Sequence, residues 1–141
     1  MGTQTVPYIT FPGNAAEAFE FYRQVFGGEL HLMRYDDQPM DLPFTPPPGA
    51  VAHAQLNGGQ LTLAGGDDVA ENPAPLSGGP FSLLINSEDL DHARGLRGQL
   101  LEGGTEAMPF DRAPWGDYYG QVTDKFGVLW QINVANQTQE A

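Results

Sequence analysis

Polar and apolar positions alternate with a period of two in two neighbouring segments, 117–123 and 128–134. Such alternation predicts β-strands with one covered face and one wet face. Between them lies the turn sequence Asp124-Lys-Phe-Gly127, in which the Asp side chain can bond its own backbone and the Gly tolerates positive φ. The segments therefore form a predicted hairpin. Its wet face carries Tyr119, Gln121, Thr123, Leu129, Gln131 and Asn133.

The first half of the chain has strand patterns around one helix. Apolar residues at i, i+3, i+4 and i+7 follow Asn14, which we expect to cap an amphipathic helix that ends at Gly27-Gly28. The turn sequence Asn57-Gly-Gly59 predicts a second hairpin. The predicted strands of this half are 6–11, 29–36, 50–56 and 60–64.

The second half repeats this order. Strand 81–86 is followed by a helix capped by Ser87 or Asp89, by strand 105–110 and by the hairpin described above. The helix-ending glycine pairs, Gly27-Gly28 and Gly103-Gly104, are 76 residues apart. An internal repeat of strand, helix and three strands predicts an α+β fold of two paired βαβββ modules. We expect pseudo-twofold symmetry, with curved sheets around a cavity and helices on the outside.

These patterns place the whole chain, 1–141, in a single domain. Module one covers about 5–66, a connector about 67–79, and module two about 80–135. Segment 37–49 is rich in proline and predicts an irregular loop. The carboxylate pairs Asp36/Asp37 and Asp67/Asp68 fall in turns, and we interpret them as solvated loop charges.

Composition excludes several classes of function. The chain has 141 residues, no cysteine, and a net charge of −12 from 6 basic and 18 acidic residues. Disulfides and thiolate chemistry are excluded, and the charge disfavours nucleic acid and anionic membranes as partners. The sequence has no apolar run of about 18 residues and no signal peptide pattern, so we expect a cytoplasmic protein without a membrane span. The acidity keeps the protein soluble or attracts cationic ligands.

Several motifs carry a resemblance to a known family. They are the opening segment 7–22, Val25-Phe-Gly-Gly-Glu29, His53-Ala-Gln-Leu56, Trp115-Gly-Asp-Tyr-Tyr-Gly120 and Asp124-Lys-Phe-Gly127. Together they resemble the PhnB-like branch of the vicinal oxygen chelate superfamily, which includes glyoxalase I, extradiol dioxygenases and bleomycin resistance proteins. The resemblance spans about 5–135 and implies paired βαβββ modules, a small-molecule ligand and a homodimer. It implies no particular activity.

The resemblance also implies where a metal would bind. Enzymes of the superfamily hold a divalent metal with His, Glu and sometimes Gln side chains on cavity-facing strands. The matching positions here are Gln131, the segment 81–83, Pro7 or Tyr8, and His53. Because a catalytic metal normally has three protein ligands, His53 and Gln131 are weak candidates that do not complete a site. We predict no cofactor, with a divalent metal as the alternative.

Six residues are candidates for lining a ligand pocket: Tyr8, His53, Gln55, Trp115, Tyr119 and Gln131. His53 and Gln55 share a strand face, which suits a wet cavity wall. Aromatic rings at Trp115 and Tyr119 suit stacking on a flat ligand, although packing in the core explains aromatic residues equally well. A single His on a strand is also often a packed structural residue, so His53 has both interpretations.

Three hypotheses for function follow. The first is a metal-free binding protein for a small apolar or aromatic ligand, with a drug-sequestering variant similar to bleomycin resistance proteins. The second is an enzyme, either metal-dependent with ligands from a dimer partner or metal-free with His53 as general base. The third is a structural or interaction module whose cavity is filled.

Overall fold

The structure is a computed structural model that describes residues 2–37, 41–70, 73, 75, 76 and 80–135. The chain divides into two compact units, Met1–Pro75 and Leu76–Ala141. The boundary falls inside the predicted connector, of which residues 71, 72, 74 and 77–79 lie outside the described residues. No helix of the described segments is long and apolar enough to cross a membrane.

Unit one contains a four-stranded sheet and one helix. The strand order is β1-β4-β3-β2, with β1 parallel to β4 and the other neighbours antiparallel. The elements are β1 (Tyr8–Phe11), α1 (Ala15–Phe26), β2 (Glu29–Arg34), a 3₁₀ turn (Tyr35–Asp37), β3 (Val51–Asn57) and β4 (Thr62–Asp67).

Unit two repeats this arrangement. Its strand order is β5-β8-β7-β6, with β5 parallel to β8 and the other neighbours antiparallel. The elements are β5 (Leu83–Ser87), α2 (Leu90–Leu101), β6 (Thr105–Arg112), β7 (Tyr118–Thr123) and β8 (Leu129–Val134). The predicted α+β fold of two βαβββ modules is confirmed. The pseudo-twofold symmetry and the cavity expected from the repeat stay predictions.

The covered face of each sheet packs on its helix. In unit one the rings of Phe11, Phe19 and Tyr22 are fully buried and meet at centroid distances of 5.7–6.5 Å. In unit two Ile132 and Val134 of β8 pack with Ala93 of α2 in one buried cluster. Because strand side chains alternate, the opposite face of each sheet is left for polar and exposed residues.

The start of α1 differs from the prediction. Asn14 occupies the N-cap position, but its side chain makes no capping hydrogen bond, and its Oδ1 is buried without a partner among the described residues. Instead, Asp67 Oδ1 accepts the Ala15 N–H at 2.8 Å, and Asp67 Oδ2 accepts the Val51 N–H at 2.9 Å. A carboxylate 52 positions away in the chain thus takes the capping role, and such a partner is invisible to local pattern.

The second helix follows the prediction. Asp89 is its N-cap, and the Asp89 Oδ1 accepts the backbone N–H of His92 at 3.1 Å. Ser87, the other candidate, contributes one step earlier, since its hydroxyl accepts the Asp89 N–H at 3.0 Å.

The predicted solvated charges in turns are confirmed for Asp36 and Asp37, which are exposed in the 3₁₀ turn, but wrong for Asp67, which is half-buried and ends β4. These three carboxylates also accept backbone N–H groups. Asp67 ties β4 to α1 and β3, as described above. Asp36 Oδ2 accepts the Gly49 N–H at 2.8 Å, and Asp37 Oδ2 accepts the Arg34 N–H at 2.7 Å. The predicted strand 29–36 accordingly ends at Arg34 and turns there. The proline-rich loop is thus attached to the 3₁₀ turn at its far end, while residues 38–40 lie outside the description.

Candidate functional site

The open face of the sheet in unit two carries a chain of polar contacts. The Tyr119 hydroxyl donates to Gln131 Oε1 at 2.5 Å and accepts from Gln121 Nε2 at 2.9 Å. Gln131 Nε2 in turn donates to the Ser82 hydroxyl at 2.7 Å. These four side chains come from β7, from β8 and from the residue before β5. We call them the polar network: Ser82, Tyr119, Gln121 and Gln131.

Exposed apolar side chains flank the polar network across the sheet. In register, Leu84 lies opposite Gln131, Gln131 opposite Gln121, and Gln121 opposite Met108. Leu84 is 55% exposed and Met108 is 42% exposed. The row therefore runs from apolar through two polar positions to apolar, so a molecule lying across it would meet both apolar surface and hydrogen-bonding groups.

Trp115 adds an aromatic wall beside the polar network. Its ring lies 6.4 Å from the ring of Tyr119, at an interplanar angle of 54°, and the side chain is 65% exposed. An exposed indole held beside a hydrogen-bonded phenol offers a flat ligand a stacking surface. The loop before β7 holds it there through the hydrogen bond from the Ala113 N–H to the Asp117 carbonyl.

A second polar group lies at the other end of β8. Asn133 Nδ2 donates to Asn86 Oδ1 at 3.2 Å and to Asp117 Oδ2 at 3.3 Å. Asn133 lies opposite both Tyr119 and Asn86 in the sheet. Together with Gln131, it gives the open face of β8 two amides whose orientation is set by neighbouring strands.

In unit one, Tyr8 and His53 meet on the open face of the sheet. Their ring centroids are 6.1 Å apart with an interplanar angle of 28°, a stacked arrangement. His53 is exposed and is paired in register with Met33 of β2, so it lies outside the buried core of unit one. A Cβ at Gly66 would stand 3.0 Å from the Tyr8 hydroxyl oxygen. Glycine at this position therefore leaves room for the phenol.

The phenol of Tyr8 is electrostatically coupled to a second tyrosine. Burial raises the pKa of Tyr8 above its usual 10.0, and the charge of an ionised Tyr35 raises this pKa further. Tyr35 itself meets Phe44 edge to face at a centroid distance of 5.7 Å and an angle of 87°. The proline-rich loop thus places Phe44 against Tyr35, the tyrosine whose charge acts on Tyr8.

Gln55 does not join this group. Its Nε2 donates to Asn57 Oδ1 on the same strand at 3.0 Å, and both side chains are on the open face with His53. A surface groove of about 650 Å³ exists elsewhere in unit one, between α1 and β2. None of the six predicted pocket residues lines it. Its walls are Ala16, Glu17, Glu20, Arg23, Leu30, Leu32 and Arg34.

The residues around Gln131 do not fit a catalytic divalent metal. The polar network consists of two hydroxyls and two amides, all neutral, and both atoms of the Gln131 amide already bond to protein groups. Catalytic zinc, iron or manganese prefers imidazole or carboxylate ligands. Within the described parts of the chain, no group of three or more His, Asp or Glu side chains is placed to hold a metal ion.

The structure brings together some of the predicted residues and adds others. Trp115, Tyr119 and Gln131 form one group in unit two, and Tyr8 and His53 form another in unit one. Sequence reasoning missed the roles of Ser82, Gln121, Tyr35, Phe44 and Gly66. Strand alternation already placed Gln121 on the face of Tyr119, so that signal was present, whereas the Ser82 contact depends on parallel pairing between distant strands.

Comparison with protein families gives one matching family model. Residues 6–132 match the model described as Glyoxalase/Bleomycin resistance protein/Dioxygenase superfamily. The match spans both units. It agrees with the resemblance seen in the sequence motifs.

Individual relatives agree with this match. Protein YjdN of Escherichia coli is 30% identical over 145 residues, covering 93% of this chain and 95% of YjdN. The crystal structure of protein PA1353 from Pseudomonas aeruginosa is 32% identical with a TM-score of 0.82, covering 96% of this chain and all of that one (100%). The PhnB protein of Bacillus cereus, at 24% identity and a TM-score of 0.78, covers 94% of this chain and 100% of its own and shares the fold. The chain belongs to the glyoxalase/bleomycin resistance protein/dioxygenase superfamily.

Proposed function

We propose that this protein binds a small, flat organic molecule without a metal, on the open face of β7 and β8. The observation that carries the proposal is the hydrogen bond of 2.5 Å between the Tyr119 hydroxyl and Gln131, continued to Ser82. At the position where the resemblance implies a metal-binding Glu, this chain has a neutral amide that protein groups hold in place.

The polar network keeps hydrogen-bonding capacity for a ligand. A glutamine has two amide hydrogens and two acceptor positions, and a serine hydroxyl has one donor and two acceptor positions. The contacts above use one hydrogen of Gln121 and leave its Oε1 free to accept, and Ser82 keeps its own O–H to donate. A ligand with both a donor and an acceptor on one edge matches this pattern, while Trp115 and Leu84 supply apolar contact.

An enzyme with His53 as general base receives less support. General bases act best when a second group orients them and matches their basicity to the reaction. The contact that the structure gives His53 is with the ring of Tyr8. Among the described residues of unit one, the histidine that lies near a carboxylate is His31, whose Nε2 is 3.5 Å from Glu29 Oε1. The binding function is therefore preferred to proton transfer.

The test combines elemental analysis with native mass spectrometry on untagged protein. We expect less than one metal ion per subunit and a retained or added small molecule whose binding requires Gln131. The same spectra give the number of subunits and so check the predicted homodimer. One firmly bound transition metal per subunit overturns the proposal and moves His53 and Gln131 into a metal centre.

The matched variants are Gln131→Leu and Gln121→Glu. Gln131→Leu keeps approximately the side-chain volume and removes both amide contacts. Gln121→Glu keeps the shape and replaces the amide nitrogen that donates to Tyr119. If ligand binding survives both changes unaltered, the polar network is not the binding site.

A further inference from the structure

Four aromatic side chains form two ring pairs in unit one. Tyr8 stacks on His53, and Tyr35 meets Phe44 edge to face. Both pairs lie beside the start of β3, since a Cβ at Gly66 would stand 3.0 Å from the Tyr8 hydroxyl oxygen and 3.2 Å from the Val51 carbonyl oxygen, and the Tyr35 N–H donates to the carbonyl of Ala50. We call these four residues the aromatic cluster. Tyr8 is 54% exposed and Phe44 is 39% exposed, so the cluster presents ring surface outward.

Backbone contacts fix the segments that carry the aromatic cluster. Gly66 leaves the space that the Tyr8 hydroxyl occupies, because a Cβ there would stand only 3.0 Å from the hydroxyl oxygen. The same Cβ would also stand 3.0 Å from the Ala52 carbonyl oxygen. The loop that carries Phe44 is attached at its end by the bond from the Gly49 N–H to Asp36, next in sequence to Tyr35. The Tyr35 N–H also donates to the Ala50 carbonyl at 3.0 Å. Three separate segments are therefore fastened where their rings meet.

The charges of unit one leave these rings for an external cation. Residues 1–75 contain nine acidic and two basic residues, Arg23 and Arg34. Both arginines line the groove between α1 and β2. Met33, the residue before Arg34, lies on the other face of the sheet, where it is paired in register with His53. In unit two, by contrast, Arg94 lies 5.6 Å from the ring centre of Tyr118, and Lys125 lies 5.6 Å from that of Phe126. Within the described part of unit one, no arginine or lysine covers a ring of the aromatic cluster.

We propose that the aromatic cluster of Tyr8, Tyr35, Phe44 and His53 binds an organic cation of the alkylammonium class. Aromatic faces attract a cation through the ring quadrupole, and grouped rings recognise quaternary ammonium heads in this way. A net charge of −7 over residues 1–75 adds a long-range attraction for cations and disfavours anionic ligands. The inference rests on the proposed function only in that the ligand is a small organic molecule, because it uses none of the residues of the polar network.

The experiment titrates untagged protein with choline and with its uncharged carbon isostere, in which a tert-butyl group replaces the trimethylammonium head. Both ligands are followed by calorimetry at low salt. We expect choline to bind at least about fivefold more tightly than the isostere, which matches the strength of cation–π contacts at partly exposed sites. Tyr8→Leu and Phe44→Leu each weaken choline binding by roughly fivefold to tenfold.

Phe126→Leu is the control, since it removes a ring of unit two that Lys125 already faces. Thermal unfolding of each variant separates loss of a ring from loss of the fold. The proposal is overturned if choline does not bind, if the isostere binds equally well, or if Phe126→Leu weakens choline binding as much as Phe44→Leu does.

Failure of the cation site is distinguishable from failure of the proposed function. A stoichiometric metal in the untagged protein overturns metal-free binding, yet a choline preference that depends on Phe44 still supports the cation site. A retained neutral ligand that depends on Gln131, together with equal affinities for choline and its isostere, overturns the cation site alone.

Discussion

The indole nitrogen of Trp130 donates to Asp124 Oδ2 at 2.8 Å, and only 3% of Asp124 is exposed. The other oxygen of this carboxylate accepts the N–H groups of Phe126 and Val128 at 2.8 and 3.1 Å. One buried carboxylate therefore holds both the turn between β7 and β8 and the side chain of Trp130, the second residue of β8. That strand presents Gln131 to the open face, so the turn and the polar network share one support.

Asp124→Ala should lower the free energy of unfolding by about 2–4 kcal/mol, because it leaves buried donors without an acceptor. Urea unfolding measures the change. Asp111→Ala is the control, since Asp111 is an exposed residue of β6 in the same unit. If the two substitutions cost the same, the carboxylate does not support the turn.

The two helices should respond differently to loss of their N-cap side chains. Asn14→Ala should change the free energy of unfolding by less than about 0.5 kcal/mol, because the Asn14 side chain makes no capping bond. Asp89→Ala should cost about 1 kcal/mol, since it removes the acceptor of the His92 N–H. Denaturant unfolding of both variants checks the difference.

Asp67→Ala completes this comparison. It removes the acceptor of the Ala15 and Val51 N–H groups and should cost about 2 kcal/mol, more than either N-cap substitution. If Asn14→Ala is instead the more damaging change, the start of α1 depends on its own cap residue and the role given to Asp67 is wrong.

Local pattern predicted the elements of this fold well, because most of its turns carry their own chemistry. The Asp124 turn behaves as its sequence indicates: Asp124 bonds the Phe126 N–H, and Gly127 has a φ of 94°. The predicted capping contact at the start of α1 was wrong, because the acceptor that stabilises this helix end comes from β4. Which carboxylate reaches a helix end is decided by sheet pairing, and no window of neighbouring residues contains that information.

In the candidate site, too, local sequence pattern predicts some features and misses those that depend on contacts between distant segments. Strand alternation in the sequence is enough to place Tyr119 and Gln131 on one face, and His53 and Gln55 on another. It does not show that Gln55 bonds Asn57, nor that Ser82 reaches Gln131 across a parallel pair 49 positions apart in the chain. Phe44 belongs to a loop whose proline content predicts irregular structure but does not predict which residues it contacts.

Tyr119→Phe tests the polar network with a minimal change. It removes the hydroxyl that joins Gln131 to Gln121 and keeps the ring beside Trp115. We expect a loss of stability of about 1 kcal/mol and roughly tenfold weaker binding of any ligand that requires Gln131. Calorimetry and urea unfolding on the same preparation give both numbers. Unchanged affinity would leave Tyr119 as a packing residue only.

His53→Ala should change the free energy of unfolding by less than about 0.5 kcal/mol, because the side chain is exposed. Its stacked contact with Tyr8 is lost, so choline binding should weaken about threefold to fivefold. His31→Ala is the matched control, an exposed histidine on β2 that pairs with Glu29. A large loss of stability in His53→Ala would assign His53 a structural role in place of a binding one.

Alkaline titration tests the surroundings of Tyr8. Burial, and then the charge of Tyr35, raise the pKa of Tyr8 above 10.0, so the folded protein keeps this proton to higher pH than the unfolded chain does. The contribution to stability is therefore complete below the unfolded-state pKa and is lost as pH rises through the folded-state pKa. Tyr8→Phe should lose less stability than the unsubstituted protein as the pH is raised above 10.0.

Tyr35→Phe separates the two causes, because it removes the neighbouring phenolate and leaves Tyr8 in place. The absorbance of the phenolate gives the titration of Tyr8 as the difference between proteins with and without Tyr8→Phe. We expect that the pKa of Tyr8 falls toward 10.0 in the Tyr35→Phe background but stays above it, since burial is the larger cause. No change in the Tyr8 titration would mean that the two phenols are not neighbours, and the aromatic cluster would then divide into two unrelated ring pairs.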